Sequence, residues 1–104
     1  IPAMLKGDVQ FAIDNLASYT GIIESGQMRA LAVTSPERWP TMGEVPTMKE
    51  AGMDDFVVTS WAAFVLPKAT PKAIVDKLST ALREIAAERS VQERFQVAGA
   101  RVLG

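Results

Sequence analysis

The chain has 104 residues, 48% of them hydrophobic and 22% charged, with seven Gly and six Pro; this excludes disorder and fits one compact α/β domain over residues 1–104. Eleven basic residues against twelve acidic ones give a net charge of −1 with no basic stripe, so nucleic acid is excluded as a partner on electrostatic grounds. Histidine and cysteine are both absent, which removes the usual zinc, haem and iron–sulfur ligand sets and every Ser-His-Asp or Cys-His arrangement.

Ile1 to Leu5 is apolar, and Gly7 follows Lys6 where a glycine cap closes a helix. No charged-then-apolar leader pattern follows Ile1 and no apolar run approaches the ~20 residues that span a bilayer, so the chain reads as an internal piece of a longer one. Val9 to Ile13 is predicted as a strand, with Val9, Phe11 and Ile13 on one face, ended by Asp14 and Asn15. Leu16 to Ser25 is predicted as a helix from the spacing of Leu16, Tyr19, Ile22 and Ile23, with Gly26 as its cap. Ala30 to Val33 lacks alternation and reads as a strand buried on both faces. Ser35 to Val45 carries Pro36, Pro40 and Gly43 and is a loop, after which Thr47 and Glu50 have capping-box spacing for a small helix closed by Gly52.

Phe56 to Leu66 is a long β-branched and aromatic run stopped by Pro67. Thr70 as N-cap and Pro71 in the first helical position open the clearest helix, whose stripe of Ile74, Leu78, Leu82 and Ile85 is the face to be laid on a sheet. Ser90 and Glu93 have capping-box spacing for a last helix reaching Ala98, with Gly99 past its end and Arg101 to Leu103 opening another strand. Strands alternating with helices predict an α/β three-layer sandwich with a mostly parallel sheet.

Several stretches together resemble the substrate-binding proteins of the tripartite tricarboxylate transporter family, the Bug proteins. They are GDVQFAIDN from Gly7 to Asn15, SGQMRALAVTS from Ser25 to Ser35, Glu44-Val45-Pro46-Thr47, and Glu50-Ala51-Gly52. Trp61, Pro67, Thr70-Pro71, Ile74-Val75, Leu78 and Gly99 then follow in the family's order. The resemblance implies a two-lobed periplasmic binding protein of type II-like fold, about three times this long, with this chain mainly its second lobe. It also implies binding rather than catalysis, no cofactor, and delivery of a small organic carboxylate to membrane permease subunits. Dicarboxylates, tricarboxylates, aromatic carboxylates and acidic amino acids are the ligand classes.

In open α/β sheets ligands sit beyond the carboxyl ends of strands, which singles out Asp14, Asn15 and Leu16 after the first strand and Thr34 after the second. Asp14 and Asn15 serve equally well as caps of the next helix. Trp61 can pack on a ligand or line a hinge, although core packing is the stronger reading for a lone Trp. Arg38, beside Trp39 in the Pro-rich loop, can pair a carboxylate bidentately but is read as solvent-facing, Ser35 as an ordinary strand-end residue, and the five Met as gap-fillers. A ligand-sensing module of a regulatory protein is the alternative reading, separated from transport by a helix-turn-helix rather than a signal peptide upstream in the gene. For an enzyme the candidates are Asp8, Asp14, Asp54 and Asp55, none of which pairs with a nucleophile or a metal-ligand set. An apolar face normally covered by the other lobe makes self-association the expected behaviour of these residues alone; a monomeric sedimentation profile at all concentrations would contradict it.

Overall fold

Gly7, Gly26, Gly52 and Gly99 are the residues with positive φ among those described, and each stands where the sequence ends a helical turn. The same bond closes all four: the N–H after the glycine reaches back to a carbonyl five residues earlier. These bonds are Asp8 to Ala3 (2.9 Å), Gln27 to Ile22 (3.1 Å), Met53 to Met48 (2.9 Å) and Ala100 to Phe95 (2.9 Å). The computed structural model describes residues 1–103. Between these closures lie α1 (Pro2–Lys6), α2 (Thr20–Glu24), α3 (Lys72–Ala87) and α4 (Arg89–Val97), with 3-10 turns at Leu16–Ser18 and Pro40–Met42.

Several predicted boundaries move. The single helix from Leu16 to Ser25 is two pieces, because Tyr19 takes φ −121° and ψ −12° between the 3-10 turn and α2 while its phenol is tied back to Asp14. Pro71, not Thr70, caps α3: its ψ of 139° is extended, and its carbonyl accepts the N–H of Ile74 and Val75. The Ser90–Glu93 capping box is not formed, since Glu93 pairs with Arg89 at 2.7 Å and Glu88 occupies the cap position. The helix expected at Thr47 to Gly52 is one turn only, yet its capping box is present. Thr47 N–H donates to Glu50 Oε2 at 2.8 Å and Glu50 N–H donates to Thr47 Oγ1 at 3.2 Å.

The expected sheet is represented among the described residues by one isolated parallel bridge, Val33 to Thr47. There the Val33 N–H donates to Pro46 O at 2.8 Å and the Met48 N–H to Val33 O at 2.9 Å. From Gln10 to Asp14 and from Thr59 to Leu66 no backbone group joins a backbone–backbone hydrogen bond, and Arg101 to Leu103 starts no strand. A strand exists only by pairing, and these runs have no facing strand within residues 1–103. Their side chains are accordingly uncovered: Phe11 and Leu31 are each 70% exposed, which corrects the expectation that Ala30 to Val33 is buried. Ile74, Leu78 and Ile85 of the α3 stripe are exposed for the same reason, while Leu82 is half-buried and α3 packs beside α4. The radius of gyration is 17.3 Å, against about 13 Å for a compact domain of this length. Among the described residues the buried ones are Met42, Val45 and Thr47, in and beside the loop between Pro36 and Gly52.

The end of α4 rests on the 3-10 turn. A Cβ built on Gly99 would lie 2.9 Å from the Ala17 nitrogen and 3.0 Å from its Cα, both backbone atoms that cannot move aside cheaply. Gly26 has a similar φ of 76° but open space around it. Gly26→Ala is therefore expected to cost about 1 kcal/mol, the left-handed penalty alone. Gly99→Ala should cost roughly 2–3 kcal/mol because the clash adds to it. Denaturant unfolding of the two variants side by side checks the order.

Candidate functional site

Three segments distant in sequence meet at one corner of the molecule. The segment ending in Thr34 is held from below by the bridge to Thr47, and Thr47 is held in turn by Glu50. Arg38 completes this support. Its Nε donates to both Glu50 oxygens, at 2.8 and 3.1 Å, and its Nη1 donates to Gly43 O at 2.7 Å. Arg38 is thus a clasp of the loop, while its side chain stays 44% exposed as the solvent-facing reading expects. Trp39 is likewise engaged, its Nε1–H donating to Gln96 O of α4 at 3.2 Å. Ser35 donates to Glu37 O at 2.7 Å, an ordinary turn contact.

Thr34 faces the long run after Phe56. Its hydroxyl donates to Val58 O at 2.7 Å, and the Val58 N–H donates to Thr34 O at 3.0 Å. Two residues further, the Ser60 hydroxyl donates to Asn15 Oδ1, so the end of the first predicted strand is tied to the same run. Asn15 sits at the N-cap of the 3-10 turn, yet its side chain makes no capping bond there. Asp14 is also occupied locally: Oδ1 accepts the Asn15 N–H at 2.8 Å and Oδ2 accepts the Tyr19 hydroxyl at 3.1 Å. Neither side chain caps the turn, so the capping alternative for this pair does not describe the structure. Leu16 is half-buried at the start of the turn. Trp61 follows Ser60 and is 84% exposed, which corrects the reading of it as a core residue.

Hydrogen bonds therefore join Asn15 and Thr34 to one run, at Ser60 and Val58, with Trp61 next along it and Asp14 and Leu16 flanking Asn15 in sequence. Sequence reasoning missed Ser60 and Tyr19. A serine in a β-branched run has no local signature of a partner 45 residues away, whereas Tyr19 lay within the helical spacing and was assigned to packing. Two open depressions lie elsewhere on the surface. One is lined by Arg89, Gln92, Gln96 and Arg101 and the other by Ile23, Arg29, Leu31 and Pro46; neither includes the five candidate residues. Among the described residues no group of three or more acidic side chains is placed to hold a metal ion.

The charges respond to these contacts. The Glu50 carboxyl is held at about 2, first by the Arg38 hydrogen bond and then by the Thr47 N–H, and Arg38 is raised by the same pairing. Tyr19 is raised by burial first and by its bond to Asp14 second.

Residues 1–102 match the model of the tripartite tricarboxylate transporter family receptor. A UPF0065 protein of the tcbD–tcbE intergenic region of Pseudomonas sp. (strain P51) is 34% identical over 102 residues, 97% of this chain and 30% of that protein. Among solved structures, Rpa4515 from R. palustris, with adipate, has a TM-score of 0.93 at 32% identity, over 99% of this chain and 35% of that one. MatC from Rhodopseudomonas palustris, with bound malate, has a TM-score of 0.84 at 31% identity, over 97% of this chain and 34% of that one. The periplasmic binding protein BugD has a TM-score of 0.73 at 45% identity, over 82% of this chain and 28% of that one. The chain thus spans about 30% of the length of the curated relative.

The clasp sets a pH dependence. Glu50 has its folded-state pKa depressed, to about 2 from an ordinary 4.5, so its contribution is fully present above about 4.5 and is lost as pH falls toward 2. A carbon-detected NMR titration should place the Glu50 midpoint near 2 and return it toward 4.5 in Arg38→Ala. An unshifted midpoint in Arg38→Ala would assign the depression to the Thr47 N–H alone.

Proposed function

The chain belongs to the tripartite tricarboxylate transporter receptor family, and on that premise we propose that it forms part of a periplasmic receptor that closes around a small organic carboxylate. The observation that supports this most is the likeness of nearly the whole chain to two structures with a dicarboxylate, adipate and malate. The proposed contact with the ligand is the corner where Asn15 and Thr34 are bonded to the Val58–Ser60 run, together with Trp61 next along that run and Asp14 and Leu16 on either side of Asn15.

The uncovered backbone of residues 10–14 and 59–66 fits the same proposal. In a two-lobed receptor these runs are strands of a mostly parallel sheet, completed by polypeptide outside residues 1–104, and the α3 stripe lies on that sheet. The isolated bridge at Val33 is parallel, as that sheet requires. The cleft then lies between this lobe and the other, and hinge closure supplies ligand contacts from both sides. Delivery to membrane permease subunits follows from the family's transport role and completes the proposal. The chemistry is binding: Asp8, Asp54 and Asp55 are exposed, and Asp14 is committed to Asn15 and Tyr19.

A thermal-shift screen of the complete receptor against malate, adipate, citrate, benzoate and glutamate tests this. A ligand at a hundred times its Kd adds about 2.7 kcal/mol of stability, so one carboxylate should raise the melting temperature by several degrees. No response to any carboxylate, with a response to a neutral sugar or a cation, would overturn the proposed ligand class.

A further inference from the structure

We propose that Ser60 is a positioning residue: its hydroxyl turns the Asn15 side-chain amide so that the NH2 group faces a carboxylate oxygen of the ligand. This rests on the receptor reading above and adds to it the residue that sets the polarity of the contact.

A primary amide has an accepting end and a donating end of nearly the same shape, and only its partners decide which end faces outward. At Asn15 the accepting end is occupied, because Ser60 Oγ–H donates to Oδ1. The donating end, Nδ2, has no partner among the described residues, and the side chain is not spent on capping the turn that it precedes. Each Asp14 oxygen already takes one hydrogen bond, from the Asn15 N–H and the Tyr19 hydroxyl. The Thr34 hydroxyl proton is given to Val58 O. A donor left without a partner at this corner is Asn15 Nδ2–H. An unpaired amide donor takes an acceptor, and among small ligands a carboxylate is the strongest of these. Tyr19 contributes by holding the Asp14 charge to a donor of its own.

The coupling has a direction. With the amide oriented for a carboxylate, the Ser60 bond and the ligand bond select the same rotamer. If the amide is turned over, Oδ1 faces the ligand and the contact becomes repulsive to an anion. Removing the hydroxyl leaves both orientations open and should weaken carboxylate binding without emptying the corner.

The test uses the complete receptor and its Ser60→Ala, Ser60→Thr and Asn15→Asp variants, with calorimetric titration of adipate, malate and the neutral diamide adipamide. Ser60→Ala should weaken the bound carboxylate roughly 3- to 10-fold, the value of one oriented hydrogen bond, while Ser60→Thr restores it. Asn15→Asp should weaken it roughly 10- to 100-fold. In Ser60→Ala the preference for adipate over adipamide should fall, whereas a merely structural defect would lower both affinities together. Equal affinity in Ser60→Ala, or loss of both ligands alike with no rescue by Ser60→Thr, overturns the proposal. If the unmodified receptor takes none of the three compounds, the ligand class fails and the Asn15 side-chain NH2 resonances of the free protein decide the Ser60 role. A shift in Ser60→Ala that Ser60→Thr does not show supports it; unchanged resonances in Ser60→Ala overturn it.

Discussion

The Glu50 carboxylate ties the middle of the chain together by accepting from two directions at once, the Thr47 N–H of its own turn and the Arg38 guanidinium twelve residues earlier. Because Arg38 also reaches Gly43 O, the Pro-rich loop is drawn closed around Met42 and Val45, the buried apolar residues of the described chain. Thr47, fixed by this arrangement, bridges Val33, and Val33 sets the position of Thr34. The loop that looked least structured in sequence is therefore the support of one side of the candidate corner. Trp39 extends the same support to α4 through Gln96.

Everything else hangs on a second constraint, the need of backbone N–H and C=O groups for partners. The runs at residues 10–14 and 59–66 have none in backbone pairing, and Phe11, Leu31 and Val65 are left in solvent beside them. An open apolar edge of that kind favours pairing with further strands. In the proposed receptor those strands come from the rest of the two-lobed protein, which also supplies the opposite wall of the cleft. Stability and binding are then linked: the same runs that need a sheet to be covered carry Ser60 and Trp61 to Asn15.

How much was legible in the sequence follows from how local each feature is. The four glycine closures and the Thr47–Glu50 box depend on residues within six positions of one another, and the spacing alone revealed them. The amphipathic pattern of α3 was equally plain, although Pro71 rather than Thr70 caps it, since one residue decides where a proline's extended ψ falls. The bonds of Arg38 and Trp39 were not foreseen because their partners, Glu50 and Gln96, lie 12 and 57 residues away. The strands were recognised as apolar runs, but a run becomes a strand only when another faces it. Among the candidate residues, Asn15 and Thr34 were singled out by their place after predicted strands, and the structure joins both to one run. Ser60 carried no such signal, as nothing in VTSWAAF distinguishes a serine that orients an amide from one that merely faces water.

Amide hydrogen exchange of the complete receptor, with and without the carboxylate that stabilises it most, tests the central claim most directly. A ligand held at this corner slows exchange at Asn15 and Leu16 and from Thr59 to Ala62, and leaves the middle of α3 unchanged. Slowed exchange confined to the Arg89–Arg101 or Ile23–Pro46 depressions, with no change at Asn15 or Ser60, would contradict the account.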